Sequence, residues 1–159
     1  MAVLSTAADA TCSVMTLPQV VASVARSRVQ GELHAVEAAA AKATRDLGAG
    51  LLLHVYRTHP PTKPSLAISE LESLVAAAGA AAAGRVDASA QQALKKALLK
   101  AQRDFHPDRN QGREHVPTFE STGALKYGVL EWQMLSNAIC QRLTIKFDKM
   151  FKTMEAVLE

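Results

Sequence analysis

The sequence is poor in aromatic residues, which make up only 4% of its 159 positions. Alanine, in contrast, supplies 29 of them. Alanine favours the helix, whereas β-strands are enriched in branched and aromatic side chains. Few rings and many short side chains therefore argue against a β-sandwich and predict closely packed helices. We expect an all-α fold.

Cysteine is also scarce, and no metal or catalytic motif is present. Cys12 and Cys140 are far apart and predict neither a disulfide framework nor a zinc site, which fits a reducing compartment. The five histidines lack zinc spacing. No P-loop, nucleophile elbow or dinucleotide fingerprint occurs, and no apolar run approaches the roughly 18 residues of a membrane span. We expect no enzyme, no cofactor, no metal and no membrane contact.

The positive charge is concentrated in one segment. The formal net charge is only +3, but residues 85–113 carry seven Lys or Arg against three Asp, a net of +4. A local basic surface implies an acidic partner surface. Nucleic-acid binding is disfavoured because aromatic and arginine-rich surface elements are lacking.

The most informative stretch extends from Gln91 to Gly112. Apolar residues recur there at helical spacing, and basic residues fall on the opposite side of the same helix. The apolar set is Leu94, Leu98, Ala101 and Phe105, and the basic set is Lys96, Lys100 and Arg103. Pro107 lacks an amide hydrogen and clashes with the preceding turn, so the helix is predicted to end near Phe105.

A basic helix that ends in an aromatic residue and is followed by His-Pro-Asp resembles the J domain of DnaJ-like co-chaperones. The resemblance implies a protein that binds a seventy-kilodalton heat-shock chaperone of the DnaK type and stimulates its ATP hydrolysis. In that family the aspartate engages an arginine of the chaperone. The candidate chaperone-binding residues are therefore His106, Pro107, Asp108, Lys95, Lys96, Lys100, Arg103 and Arg109.

The chain also departs from the family. Leu99 and Asp104 stand where basic residues are common, and Asp104 follows Lys100 by four residues, where we expect it to neutralise part of the basic stripe. The connection 109–130 is long, and no client-binding module follows it. A basic stripe alone is commonly a solvated face. The alternative is a J-like domain that serves as a structural or adaptor subunit of a large assembly, docked through residues 17–57, with little or no chaperone-stimulating activity.

The N-terminal part is predicted to be a helical extension over residues 1–60. Residues 1–16 lack a clear period, and Leu17-Pro18 opens a helical pattern that continues to about Leu47 and weakens near Gly31. Residues 51–57 fit either a helical turn or a strand. The proline-rich segment 59–64 is a semi-rigid linker, and we place there the boundary to a J-like domain over 66–155.

Two capping boxes and one long pattern complete that domain. Ser69 with Glu72, and Ser89 with Gln92, are predicted to start helices. From Trp132 to Met154 apolar residues recur every three or four positions, so a final helix should lie antiparallel against the basic helix.

Residues 1–31 contain a single acid, Asp9, which is typical of a transit peptide. We nonetheless expect a cytoplasmic protein, with organellar targeting by this segment as the alternative.

Overall fold

The computed structural model of the protein describes residues 16–42, 48–81 and 88–158, with the backbone alone for 79–81 and 150–158. Over these ranges the chain forms six α-helices and no β-strand, which confirms the predicted all-α class. The helices are α1 (Leu17–Arg28), α2 (Gln30–Lys42), α3 (Ala49–Thr58), α4 (Ile68–Ala81), α5 (Ala88–Asp104) and α6 (Val129–Leu158). Two 3₁₀ turns, Pro107–Arg109 and Arg113–His115, lie between α5 and α6.

The two helices with the clearest apolar patterns, α5 and α6, pack against each other in antiparallel orientation. Phe105, just after α5, lies beside Trp132 near the start of α6, with ring centroids 6.4 Å apart. Earlier in α5, the carbonyl of Gln102 accepts a hydrogen bond from Cys140, which is later in α6. The apolar residues of the α5 stripe are all buried: Leu94, Leu98, Ala101 and Phe105. The predicted core positions Met150 and Met154 have side chains outside the described residues.

The single helix predicted over residues 17–47 is instead two helices with one residue between them. The helix is interrupted at Val29. Gly31, where we expected the helical pattern to weaken, is instead the second residue of α2. Val29 is only 2% exposed, so the bend turns a large apolar side chain inward. Both helices contact α6. Residues 43–47, at the end of the predicted helical pattern, lie outside the described residues.

The segment 51–57, for which helix and strand both remained open, belongs to α3. Gly48 precedes this helix with a φ of 93°, a backbone conformation that glycine adopts without strain. Leu51, Leu52, Val55 and Tyr56 are buried in one continuous core together with residues of α2, α5 and α6. Residues before and after the proline-rich linker belong to this one core, so the predicted domain boundary does not separate two hydrophobic cores. The division into an N-terminal helical extension over 1–60 and a J-like domain over 66–155 stays a prediction.

Neither predicted N-cap serine occupies an N-cap. The amide of Leu71 donates to the carbonyl of Ala67, so α4 begins at Ile68 and Ser69 is its second residue. Glu72 forms an ion pair with Arg57 of α3 instead of closing a capping box. Ser89 is likewise the second residue of α5. In both cases the helix begins two residues earlier than the serine pattern indicates.

The long connection between α5 and α6 packs on the core. Val116 is buried, and Leu125 and Tyr127 lie against the core, whereas Phe119 is exposed. An isolated antiparallel bridge between Thr118 and Leu125 closes the segment into a compact loop.

Candidate functional site

The basic helix ends where the sequence predicted. The amide of Phe105 still donates to the carbonyl of Ala101 at 3.0 Å, and the amide of His106 donates to Arg103 in a tighter turn. Pro107 has no amide hydrogen to continue the ladder. Phe105 is fully buried and lies edge-on to Tyr56, with ring centroids 5.4 Å apart. An aromatic side chain therefore fixes the end of α5 to the core immediately before the His-Pro-Asp sequence.

The His-Pro-Asp tripeptide forms a tight, exposed turn. The amide of Asp108 donates to Nδ1 of His106 at 3.2 Å, and the amide of Arg109 donates to the carbonyl of His106 at 3.0 Å. The side chains of His106 and Asp108 are 52% and 83% exposed. Because Nδ1 accepts a hydrogen bond, the neutral imidazole carries its proton on Nε2. The turn thus presents a ring N–H and a carboxylate to the surroundings.

Asn110 holds this turn in place. Its side chain is buried and donates to the carbonyls of Asp104 at 2.9 Å and His106 at 2.8 Å. Its Oδ1 accepts a hydrogen bond from Nε1 of Trp132 at 3.0 Å. The same amide group therefore joins the end of α5, the turn and the start of α6. Nothing in the sequence pattern shows that Trp132 supplies the third contact of Asn110.

Three of the predicted basic residues share one exposed face. Lys96, Lys100 and Arg103 are exposed, and none of them has an acidic side chain within ion-pair distance among the residues that the structure describes. Lys95 is half-buried and lies about 100° around the helix from Lys96. Within the described ranges, the cationic face of α5 that lacks an acidic partner therefore consists of Lys96, Lys100 and Arg103.

Arg109 is exposed but lies apart from that face. It lines a cleft of about 340 Å³ together with Lys63 of the proline-rich linker and His115 of the second 3₁₀ turn. The carbonyl of His115 accepts a hydrogen bond from the hydroxyl of Thr62, which fastens the linker to this loop. The structure thus brings Arg109 next to the tripeptide but not to the basic face of α5.

The prediction that Asp104 neutralises the basic stripe is wrong. Its side chain is buried and faces α3 and the linker. It accepts hydrogen bonds from the hydroxyl of Tyr56 at 2.6 Å, the amide of Ser65 at 2.8 Å and the hydroxyl of Ser65 at 2.6 Å. Burial and the Asp104 carboxylate raise the pKa of Tyr56, which keeps that hydroxyl protonated as a donor. Asp104 is a structural anchor for the end of α5.

A chain of aromatic side chains extends from the turn to α3. The indole of Trp132 stacks on Tyr127 with centroids 5.5 Å apart, and the hydroxyl of Tyr127 lies 2.8 Å from Nδ1 of His59. His59 is buried, and that burial, reinforced by His54, lowers its pKa to about 4. His59 is therefore neutral near pH 7. These residues form the rigid support behind the turn.

The described ranges contain no group of three or more histidine, cysteine or acidic side chains that is arranged to hold a metal ion. Within the same ranges, no helix combines the length and the apolar character needed to cross a membrane. Of the candidate targeting segment 1–31, residues 1–15, which include Cys12, lie outside the described residues.

Comparisons with known proteins return no match, whether to protein-family models, to curated proteins or to solved structures.

Proposed function

We propose that this protein is a co-chaperone that binds a DnaK-type seventy-kilodalton heat-shock chaperone and stimulates its ATP hydrolysis. One observation carries the proposal: the Asp108 carboxylate is 83% exposed, whereas the turn that presents it is fixed from behind by the buried Asn110. A side chain that is accessible and rigidly placed is suited to bind a partner. The antiparallel pair of α5 and α6 is the J-domain-like hairpin of this proposal.

The carboxylate of Asp108 offers a charge-assisted acceptor for an arginine of the chaperone. Such hydrogen bonds are shorter and roughly twice as strong as neutral ones. The hydrogen bonds of Asn110 already order the turn, so little conformational entropy remains to be lost on binding. His106 contributes a directional donor through Nε2, and Pro107 fixes the bend between them.

The cationic face of α5 supports the encounter. Lys96, Lys100 and Arg103 are exposed and uncompensated within the described residues, so they attract an acidic surface at a distance. Steering of this kind raises the association rate and weakens as salt increases. The chaperone performs the hydrolysis itself, so stimulation requires that this protein bind the hydrolysis-competent state more tightly than the resting state.

Single-turnover ATP hydrolysis by a DnaK-type chaperone tests the proposal. The wild-type protein should accelerate hydrolysis, and Asp108→Asn should abolish the acceleration because it removes the charge but keeps the shape. Asp148→Asn is the matched control, since Asp148 is also exposed but lies far along α6. Equal stimulation of ATP hydrolysis by the wild type and by Asp108→Asn would show that the His-Pro-Asp turn does not act as proposed.

A second candidate function, an adaptor subunit of a large assembly, is favoured by α1. Its outer face exposes four apolar side chains at helical spacing, namely Leu17, Val20, Val21 and Val24. Within the predicted docking range 17–57, five of the ten residues of α3 are buried in the core, so docking falls mainly to α1 and α2. Absence of stimulation, together with co-purification in a large complex that Val21→Asp disrupts, would favour the adaptor.

A further inference from the structure

A cleft of about 550 Å³ lies between α6 and the pair of N-terminal helices α1 and α2. That volume falls within the usual range of ligand-binding sites, roughly 300–1,000 Å³. Two ion pairs tie the helices on either side of it together: Arg28 with Glu131 at 3.2 Å, and Glu37 with Arg142 at 2.9 Å. The helices that flank the cleft are thus joined at two points.

The cleft is elongated. Its lining residues on α6 extend from Met134 to Ile145, which corresponds to about 16 Å at about 1.5 Å per residue. A β-like peptide advances about 3.3 Å per residue, so four or five residues of an extended chain fit this length.

The walls combine amide side chains with apolar ones. Gln30 lies on one wall, with its Nε2 3.0 Å from Nε2 of His34, and Asn137 and Gln141 lie on the other. Amide groups both donate and accept, which matches the alternating N–H and C=O groups of a peptide backbone. Leu33 and the exposed Ile145 provide apolar contact in the same cleft.

Charge distinguishes the three arginines near the cleft. Arg28 and Arg142 each have a carboxylate partner, whereas Arg26, which lines the cleft, has none among the residues that the structure describes. The cleft therefore offers one uncompensated guanidinium to a ligand. A guanidinium pairs most favourably with a carboxylate or phosphate.

We propose that this cleft binds an extended peptide segment of a partner protein that alternates apolar and acidic side chains. In an extended chain successive side chains point to opposite faces. One face then meets the apolar contacts of Leu33 and Ile145, and the other brings a carboxylate to Arg26. The amides of Gln30, Asn137 and Gln141 hold the backbone between them.

This binding site is separate from the His-Pro-Asp turn but lies close to it. Met134 and Asn137 line both the cleft and a shallower groove beside Pro107. A partner held at the turn is thus near enough to place a segment in the cleft. The proposal does not depend on chaperone stimulation, because it is tested with peptides alone.

Fluorescence polarisation of full-length protein with two fluorescein-labelled hexapeptides provides the test. One alternates leucine and glutamate, and the other alternates leucine and lysine. The acidic peptide should bind at least about tenfold more tightly, since its carboxylate meets Arg26. Arg26→Glu should reverse the preference, and Gln141→Trp, at an exposed position in the cleft, should block both peptides.

Gln92→Trp is the matched control, because Gln92 is exposed on α5 outside the cleft, and this variant should leave binding unchanged. Circular dichroism verifies that each variant keeps its helix content. Equal affinity for the two peptides would overturn the proposal, as would acidic-peptide binding that survives both Arg26→Glu and Gln141→Trp. Loss of that binding on Lys96→Ala would overturn it too, since it would place the peptide on α5.

Discussion

Substitution of Asn110 by alanine should loosen the His-Pro-Asp turn and destabilise the whole protein. The side chain of Asn110 makes hydrogen bonds to Asp104, His106 and Trp132, and it is only 3% exposed. The two bonds to the carbonyls of Asp104 and His106 contribute about 1 kcal/mol each, and the buried indole N–H left without a partner costs about 1–3 kcal/mol. We therefore expect the free energy of unfolding to fall by about 3–5 kcal/mol.

Urea unfolding measures this loss with a built-in probe. Trp132 is the only tryptophan of the chain, it is fully buried, and it is the hydrogen-bond partner in question. The fluorescence of Trp132 therefore follows unfolding, and it is also sensitive to loss of the hydrogen bond from the indole to Asn110. Gln111→Ala is the control, because Gln111 is the exposed neighbour of Asn110 and should change the stability by less than about 0.5 kcal/mol.

The result that would refute this reasoning is a loss below about 1 kcal/mol in Asn110→Ala. The turn would then not depend on the buried amide, and the rigid presentation of Asp108 would lose its physical basis. At a temperature where the variant stays folded, chaperone stimulation should also decrease, since the turn must then be ordered on binding.

Three further predictions concern charge and protonation. The double variant Lys96→Ala with Lys100→Ala should slow association with the chaperone several-fold at low salt and little at high salt, measured by surface plasmon resonance across a salt series. Asp104→Ala should lower the free energy of unfolding by about 2–4 kcal/mol, because the buried hydroxyl of Tyr56 loses a charged acceptor and the exposed Ser65 loses two hydrogen bonds. Stability should also fall as the pH is lowered from about 6.5 to about 4, by up to about 3 kcal/mol. Over that interval His59 is protonated in the unfolded state but stays neutral in the folded one, where its pKa is about 4. His59→Gln should remove this component in urea unfolding at pH 7.5 and 4.5.

Each of these has a result that contradicts it. An association rate that is equally slow at every salt concentration would mean that the lysines act by contact and not by steering. A mild effect of Asp104→Ala would show that water replaces the carboxylate. An unchanged pH dependence in His59→Gln would assign the acid sensitivity to carboxylates elsewhere in the chain.

Local patterns predicted the helix class and the central pair of helices well. The spacing of Leu94, Leu98, Ala101 and Phe105 indicates which side of α5 is buried, and Pro107 sets where the helix ends. Both signals lie within a few turns of one helix, so they need no knowledge of the neighbouring elements. The same holds for the apolar repeat of α6.

The role of Asp104 was mispredicted, although its position on the helix carries a signal. It follows Ala97 by seven residues, which places it about 20° from that buried alanine and about 40° from Lys100. The angle puts it at the edge of the apolar side, where an unpaired carboxylate is costly and needs donors. Those donors, Tyr56 and Ser65, are 48 and 39 residues away in the chain, so the sequence alone does not identify them.

Local sequence patterns could not predict that residues 51–57 form a buried helix either. Residues 51–57 are short and apolar on most sides, which suits a buried helix and a buried strand equally. Packing against α2, α4 and α5 decides between them, and the contact between Asn110 and Trp132 depends on the same long-range assembly.

The most direct test of the account is an NMR titration of the ¹⁵N-labelled protein with a DnaK-type chaperone in its ATP-bound form. The account predicts that amide signals of His106, Asp108 and Arg109, and those beside Lys96, Lys100 and Arg103, shift or broaden first, while the signals of α1 stay unchanged. Perturbation confined to α1 and α2, or no perturbation at all, would contradict it.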